Sequence, residues 1–316
     1  MKQKRISMLG IMISLILISG CSNKQLEEAN TVIKTYNDEV KEINEMIVPY
    51  NMTVDEIQTE NKKLEACINN GQEILNKNET PYDENTLVVL KEKISKASQS
   101  KVTLPEKIDE YEVLSVDQDA KKRELQSLIE DVNLKIEELD NFTIPEIPSV
   151  PDYSTEIENL DVALLAYQES VQGMKQITAS SDEFVIERLQ LVDTITGIEA
   201  VSENNDPNGQ LNKQGGYIGC IYFTDTQVNR DELYIESGQE GIIDVGTDGG
   251  GAVEIYKTQE EAETRNTYLG GFDGTIFSSG SHYIYGTLLI RTSRYLTGTQ
   301  QLELTDKIVQ SLITVK

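Results

Sequence analysis

Asn204, Asp206 and Asn208 alternate along the stretch NNDPNGQLNKQGG, and Gly209 closes the series. Alternating oxygen donors ending in a glycine are what the first half of a calcium loop needs. Side chains at every second position converge on one ion, and glycine permits the sharp turn. Two positions depart from that pattern. The first donor is Asn rather than Asp, and Gly215 stands where a bidentate Glu would close the loop. One formal negative charge compensates a divalent cation poorly. The same residues suit a turn, since Asp206-Pro207 can begin one and Asn208-Gly209 tolerates positive φ. The sequence predicts chiefly a turn, with weakly held calcium at Asn204, Asp206 and Asn208 as its one candidate cofactor. Asp244 and Asp248, beside the TDGGG stretch, are the acids that could complete such a site. Other chemistry is thinly represented. His282 is the single histidine, and no G-x-S-x-G elbow accompanies it. The three glycines Gly249, Gly250 and Gly251 precede a strand pattern, whereas a phosphate cradle needs a helix N-terminus. No catalytic residue is assigned, and the chain reads as a binding or structural protein rather than an enzyme.

Cys21 is a different kind of candidate. Lys2, Lys4 and Arg5 make a positive tip, and Ile6–Ile18 is nearly all apolar. That run is shorter than the about 20 residues a membrane-spanning helix requires, and a short apolar core behind a basic tip is the pattern of a secretory signal. It ends in Ile18-Ser19-Gly20-Cys21, which resembles the bacterial lipobox: an aliphatic residue and two small ones before a cysteine. Small residues let the chain lie extended in a peptidase cleft, and the thiol is the nucleophile that takes a diacylglyceryl group. The resemblance implies removal of residues 1–20 and acylation of Cys21. The expected location is the extracytoplasmic face of the cell membrane, held by acyl chains, two or more of which give stable anchoring. In that setting the remaining cysteines, Cys67 in a helical pattern and Cys220 in a strand pattern, read as two separately buried thiols rather than a bridge.

Charge narrows the partners. Lys plus Arg is 28 and Asp plus Glu is 54, so the net charge is 28 − 54 = −26. Nucleic acid binding wants a basic face, and anionic lipid attracts basic segments, so both are disfavoured.

These residues must be positioned by two kinds of element. From Leu26 through Ala29, Ile33, Tyr36, Val40, Ile43, Ile47, Tyr50, Val54 and Ile57, and on to Leu75, apolar residues alternate steps of three and four, which is a coiled-coil seam. Pro49 interrupts it, and Thr53 with Glu56 has the spacing of a capping box. The sequence leaves open a kinked rod or two helices there. Three further helical seams follow, through Leu87–Ala97, Leu125–Leu139 and Ile157–Met174. Short partners folding back on a long helix predict a bundle or hairpin stalk over residues 21–178, with a self-associating coiled coil as the rival. "KVTLPEKIDEYE" reads as turn-rich, and "IPEIPSVPDY" as a stiff connector between helices.

After residue 178 glycine rises and β-type runs appear, so residues 179–316 are expected to form an α+β module, an antiparallel sheet with helices packed on it. A helix over QEEAETRNTYL carries a capping box at Thr258 and Glu261, and a last helix runs from Gly298 with Thr297 as its cap. SHYIYGTLLIRT reads as one long strand. The runs EAVSENNDPNGQLNKQGGYIGCIYF, GTDGGGAVEIYKTQEEAETRNTYLGGFDG and SGSHYIYGTLLIRTS resemble a C-terminal module of Gram-positive surface lipoproteins, some of which are named after an extracellular-matrix-binding protein. The resemblance implies an anchored protein whose distal module meets an envelope or extracellular partner, and it brings no activity with it. The alternative is an envelope-organising protein whose helices associate.

Overall fold

The computed structural model describes residues 23–315. The chain is α+β. Helix α1 runs Asn23–Leu75, α2 Glu84–Ser100, α3 Lys122–Asp140, α4 Ser154–Gln176 and α5 Asp182–Leu189. Strands β1 (Ile195–Ala200), β2 (Gly219–Asp225) and β3 (Gly250–Ile255) follow, with the one-turn helix α6 (Ile242–Val245) before β3. Then come α7 (Gln259–Gly270), β4 (His282–Tyr285), β5 (Leu288–Thr292) and α8 (Gly298–Ile313). Contacts divide the chain into two compact units. Of the described residues, one unit comprises those up to Lys63 with Val102–Asp152, and the other comprises Leu64–Lys101 with those from Tyr153 onward. Helix α4, grouped with the stalk on its periodicity, therefore lies in the same compact unit as the sheet. Its Gln176 side chain donates to the Leu312 carbonyl at the end of α8.

Helix α1 is continuous through Pro49. The residue contributes no backbone N–H, but a long helix tolerates the loss of one internal bond when its seam is well packed. Thr53 does not cap a new start; its hydroxyl donates back to the Pro49 carbonyl at 3.0 Å. The heptad positions Ala29 through Ile68 are buried. In the first unit, Ile33, Tyr36, Val40, Ile43 and Ile47 pack against Val132 and Leu139 of α3. In the second, Leu64 and Ile68 pack with Leu90 and Ile94 of α2 and with Leu160, Tyr167 and Val171 of α4.

KVTLPEKIDEYE, residues 101–112, is expected to be turn-rich, but it belongs to an extended segment, residues 102–116, that lies along α1. Asn37, Asn44 and Asn51 stand seven apart on the helix, and each clamps one residue of this segment with both halves of its side-chain amide. Asn51 Nδ2 donates to the Ile108 carbonyl at 2.7 Å while the Ile108 N–H donates to Asn51 Oδ1 at 3.0 Å. Asn44 does the same with Tyr111 at 2.8 and 2.9 Å, and Asn37 with Leu114 at 2.8 and 2.8 Å. Asn61, 5 % exposed, donates to the Val102 carbonyl. Tyr36 and Tyr50 hydroxyls donate to the carbonyls of Glu112 and Glu106. The geometry closes because seven helical residues rise about 10.5 Å, and three residues of a polyproline-type chain rise about 9.3 Å. A rung every heptad thus meets a residue every third position on a strand running the other way. A backbone with no sheet neighbour finds its partners in side chains, as a packed segment requires.

The sheet of the second unit is antiparallel throughout, in the order β1-β2-β3-β5-β4. The expected long strand is a hairpin instead. Tyr285 pairs with Leu288 across a two-residue loop in which Gly286 has φ +59°. Any side chain there would also strike the Ile177 carbonyl, 2.3 Å from the Cβ position. Glycine at the first position of such a loop is the hairpin signal hidden inside the run of β-formers. Alternation sorts the strands into two faces. Ile221, Phe223, Val253, Ile255, Leu288 and Ile290 meet Val185 and Leu189 of α5 and Leu304, Ile308 and Leu312 of α8. Cys220, Tyr222, Ala252, Tyr256 and Leu289 meet Ala262 and Leu269 of α7. The Thr258–Glu261 box caps α7 and Thr297 caps α8, as the sequence marks, and Ser181 caps α5.

Candidate functional site

Four polar groups in the sheet unit could carry function. The first is the loop between β1 and β2. Asp206 is its organiser. Its Oδ1 accepts from the Asn208 N–H at 3.0 Å and from the Tyr217 hydroxyl, and its Oδ2 accepts from the Leu211 N–H at 2.7 Å. Partial burial pushes the carboxyl pKa up, but these donors outweigh it and hold the group below the usual carboxylate range. Burial and the Asp206 acceptor push the Tyr217 hydroxyl up. Asn208 Nδ2 donates to the Tyr222 hydroxyl at 3.3 Å, Gly209 sits at φ +62°, and Asn204 is exposed. Both Asp206 oxygens thus face donors of their own loop. Among the described residues no group of three or more His, Cys, Asp and Glu could hold a metal ion. Asp244 is taken up locally, accepting from the Gly241 N–H, and Asp248 pairs with Arg294 at 3.0 Å.

The second group is a buried charge cluster on the α7 face. Glu254, next to the last residue of the central strand β3, has 0 % exposure. Arg291 of β5 donates to its Oε1 at 2.8 Å, and Arg265 of α7 donates to its Oε2 at 3.2 Å. The Tyr256 hydroxyl donates to Oε2 at 2.7 Å. Burial alone would raise the Glu254 pKa. The two guanidinium charges and the tyrosine hydrogen bond reverse that, and the carboxyl lies below its ordinary range. Cys220 stands opposite Glu254 across the strand pair, and burial pushes its thiol well up. That places it among inert structural thiols rather than reactive ones. Cys67 and Cys220 are both free. Glu254 belongs to no motif, and its one signal in the sequence is an acid flanked on its own strand face by Ala252 and Tyr256, a position that demands a cation.

The third group surrounds His282, at the start of the edge strand β4. Its Nδ1 lies 2.6 Å from Asn266 Oδ1 and its Nε2 3.3 Å from Asp273 Oδ1. His282, Tyr283, Ser281, Arg294 and Gln301 line an open hollow of about 450 Å³ with the loop from Asp273 to Gly280. Ser281 and Gln301 are joined side chain to side chain. The same loop carries Ile276 and Phe277, 85 % and 71 % exposed, and Tyr283 is 40 % exposed. Two large apolar side chains on one loop beside a polar hollow make a surface suited to contact with a partner.

The fourth group surrounds Arg188 on the other side of the sheet. Cys21 lies outside the described residues; α1 begins two positions after it. No helix among the described residues is long and apolar enough to cross a membrane. No protein-family model, curated protein or solved structure matches this chain.

Proposed function

We propose that the chain is a surface lipoprotein, anchored through acylated Cys21 at the extracytoplasmic face of the cell membrane, whose sheet unit binds an envelope or extracellular partner. The observation that carries the binding half is the loop from Asp273 to Gly280, which holds Ile276 and Phe277 out to solvent beside the His282 hollow. The anchoring half is supported by the Ile18-Ser19-Gly20-Cys21 stretch behind a short apolar run. Binding is favoured over catalysis because the polar groups best suited to chemistry are occupied at home. Glu254 is saturated by two arginines and a tyrosine, Asp206 by its own loop, and both His282 nitrogens face side-chain oxygens. Binding is also favoured over self-association through the long helix, since the heptad seam of α1 is buried by the chain itself. A calcium role at Asn204, Asp206 and Asn208 is not part of this reading, because tight sites use several carboxylates and the one present serves its turn.

Two experiments test the two halves. Metabolic labelling with an acyl probe should mark the wild-type protein and fail in Cys21→Ala, and equal labelling of both would end the anchoring half. A photo-crosslinking residue at position 277 should capture an envelope component on intact cells, while one at the exposed Glu260 should not. Equal capture from both positions, or from neither, would end the binding half.

A further inference from the structure

Arg188, on the last turn of α5, is buried to 4 % exposure. Its guanidinium stacks over the Phe184 ring at 4.9 Å. Stacking uses the face of the group and leaves its N–H edge. That edge has no carboxylate among the described residues, and its Nε is buried with no hydrogen-bond partner. A buried guanidinium with no anion is an uncompensated charge and is costly. Arg188 lines an open, mostly apolar groove of about 560 Å³ between the end of α5 and α8, within the size range of small-ligand and peptide sites. Leu191, a large apolar side chain 58 % exposed, forms part of its wall. The other cation in the lining, Lys307, is already paired with Asp193 at 2.9 Å. Asp306 and the side-chain amide of Gln310 also line the groove, and among the described residues neither has a side-chain hydrogen bond.

We infer that this groove binds the C-terminal end of an apolar peptide, with Arg188 holding the terminal carboxylate. The planar fork of arginine matches a carboxylate with two parallel N–H···O bonds. The apolar wall accepts the last side chains, and Gln310 and Asp306 can meet backbone amides. The unpaired acid decides between occupants of similar charge: a peptide brings N–H donors for Asp306, whereas a fatty acid brings only its head group for Arg188. Capture of a terminal carboxylate is an established mode of peptide recognition. The groove is formed by α5 and α8, which cover the sheet face opposite to α7, so it is separate from the loop carrying Ile276 and Phe277. It stands whether or not the chain is acylated at Cys21.

The test is calorimetric titration of the full-length chain with acetyl-Ala-Val-Leu-Leu bearing a free carboxylate, with its C-terminal amide, and with oleate. The acid should bind saturably and at least about tenfold more tightly than the amide, the scale of one charge-assisted bidentate contact. Arg188→Met, which keeps the packing and removes the charge, should bind acid and amide alike. Leu191→Glu, at a half-exposed position that folding tolerates, should lose both. Equal affinity of acid and amide for the wild type would overturn the inference, as would no binding of either. An Arg188→Met protein that keeps the acid preference would reduce Arg188 to a stacking residue. Saturable oleate binding that depends on Arg188, with no peptide binding, would make the groove a lipid site and refute the peptide assignment.

Discussion

The two compact units solve the burial of polar groups in opposite ways. In the first, the α1 asparagines Asn37, Asn44 and Asn51 are neutral, repeat at one spacing, and spend both amide ends on another segment's backbone. In the second, Glu254 is a single charge at the centre of a sheet, neutralised from two other elements by Arg291 and Arg265. A ladder distributes its contribution over independent rungs. A buried ion cluster concentrates it, because each member left without the others is an uncompensated charge. The units should therefore fail differently when their polar groups are cut.

The sharpest break is expected in the sheet unit. Glu254→Gln leaves Arg291 and Arg265 without their anion and should cost about 3–5 kcal/mol in denaturant unfolding. The double variant Glu254→Leu with Arg291→Leu should recover part of that loss, since the fully buried pair gives way to apolar side chains of similar volume and only Arg265, whose side chain is 22 % exposed, is left without its anion. If the double variant is worse than the sum of the singles, the concentration of energy in one cluster is wrong. The pH response has a definite sign. The Glu254 carboxyl is depressed in the folded state, so its contribution is complete above the ordinary glutamate pKa. It is lost as pH falls through the lower folded value, and acid unfolding should flatten in Glu254→Gln.

Cuts in the ladder should be smaller and additive. Asn44→Ala removes the partners of the Tyr111 N–H and carbonyl, at a cost of about 1–3 kcal/mol. Asn37 and Asn51 lie two rungs apart, so Asn37→Ala with Asn51→Ala should equal the sum of the singles within about 0.5 kcal/mol. A large departure from additivity would mean that the segment docks all at once, and the contrast between the units would disappear.

How much of this was legible in the sequence follows from where the partners lie. Helices α1 to α4 were readable because each repeats its apolar positions locally, and the caps of α7 and α8 because both residues of each box sit within one turn. Asn37, Asn44 and Asn51 stood at heptad spacing beside the seam. Val102, Pro105, Ile108, Tyr111 and Leu114 stood three apart, but the two series are about seventy residues from each other and neither alone states its partner. The β4–β5 hairpin was obscured because Gly286 lies inside a run whose other residues all favour a strand. At the candidate site, Asp206 and Gly209 were legible as a turn, whereas the Tyr217 hydroxyl bond to Asp206 joins residues eleven apart with no local signature. Nothing in the sequence sets Arg188 apart, since only packing reveals that no carboxylate among the described residues pairs with it.

The smallest effects belong to the loop that most resembled a metal site. Asp206→Asn keeps one acceptor oxygen and weakens the contacts to the Leu211 N–H and the Tyr217 hydroxyl, costing about 0.5–1.5 kcal/mol. Gly209→Ala meets open space, and its cost of about 1–2 kcal/mol comes only from the left-handed backbone. Calcium or a chelator should leave the melting temperature of the wild type unchanged. A chelator-sensitive melting temperature that Asp206→Asn abolishes would turn the loop from a self-sufficient turn into a cation site.

The preference for partner binding over helix self-association rests on α1 being covered by its own chain, and native-state hydrogen exchange measures that directly. The amides of Ile108, Tyr111 and Leu114 belong to neither helix nor strand, and the asparagine oxygens are their acceptors. They should be strongly protected at low protein concentration, with Asn44→Ala exposing Tyr111 before the others. Exchange of all three at unfolded-chain rates would show that residues 102–116 do not dock on α1, and that its seam is open to another chain.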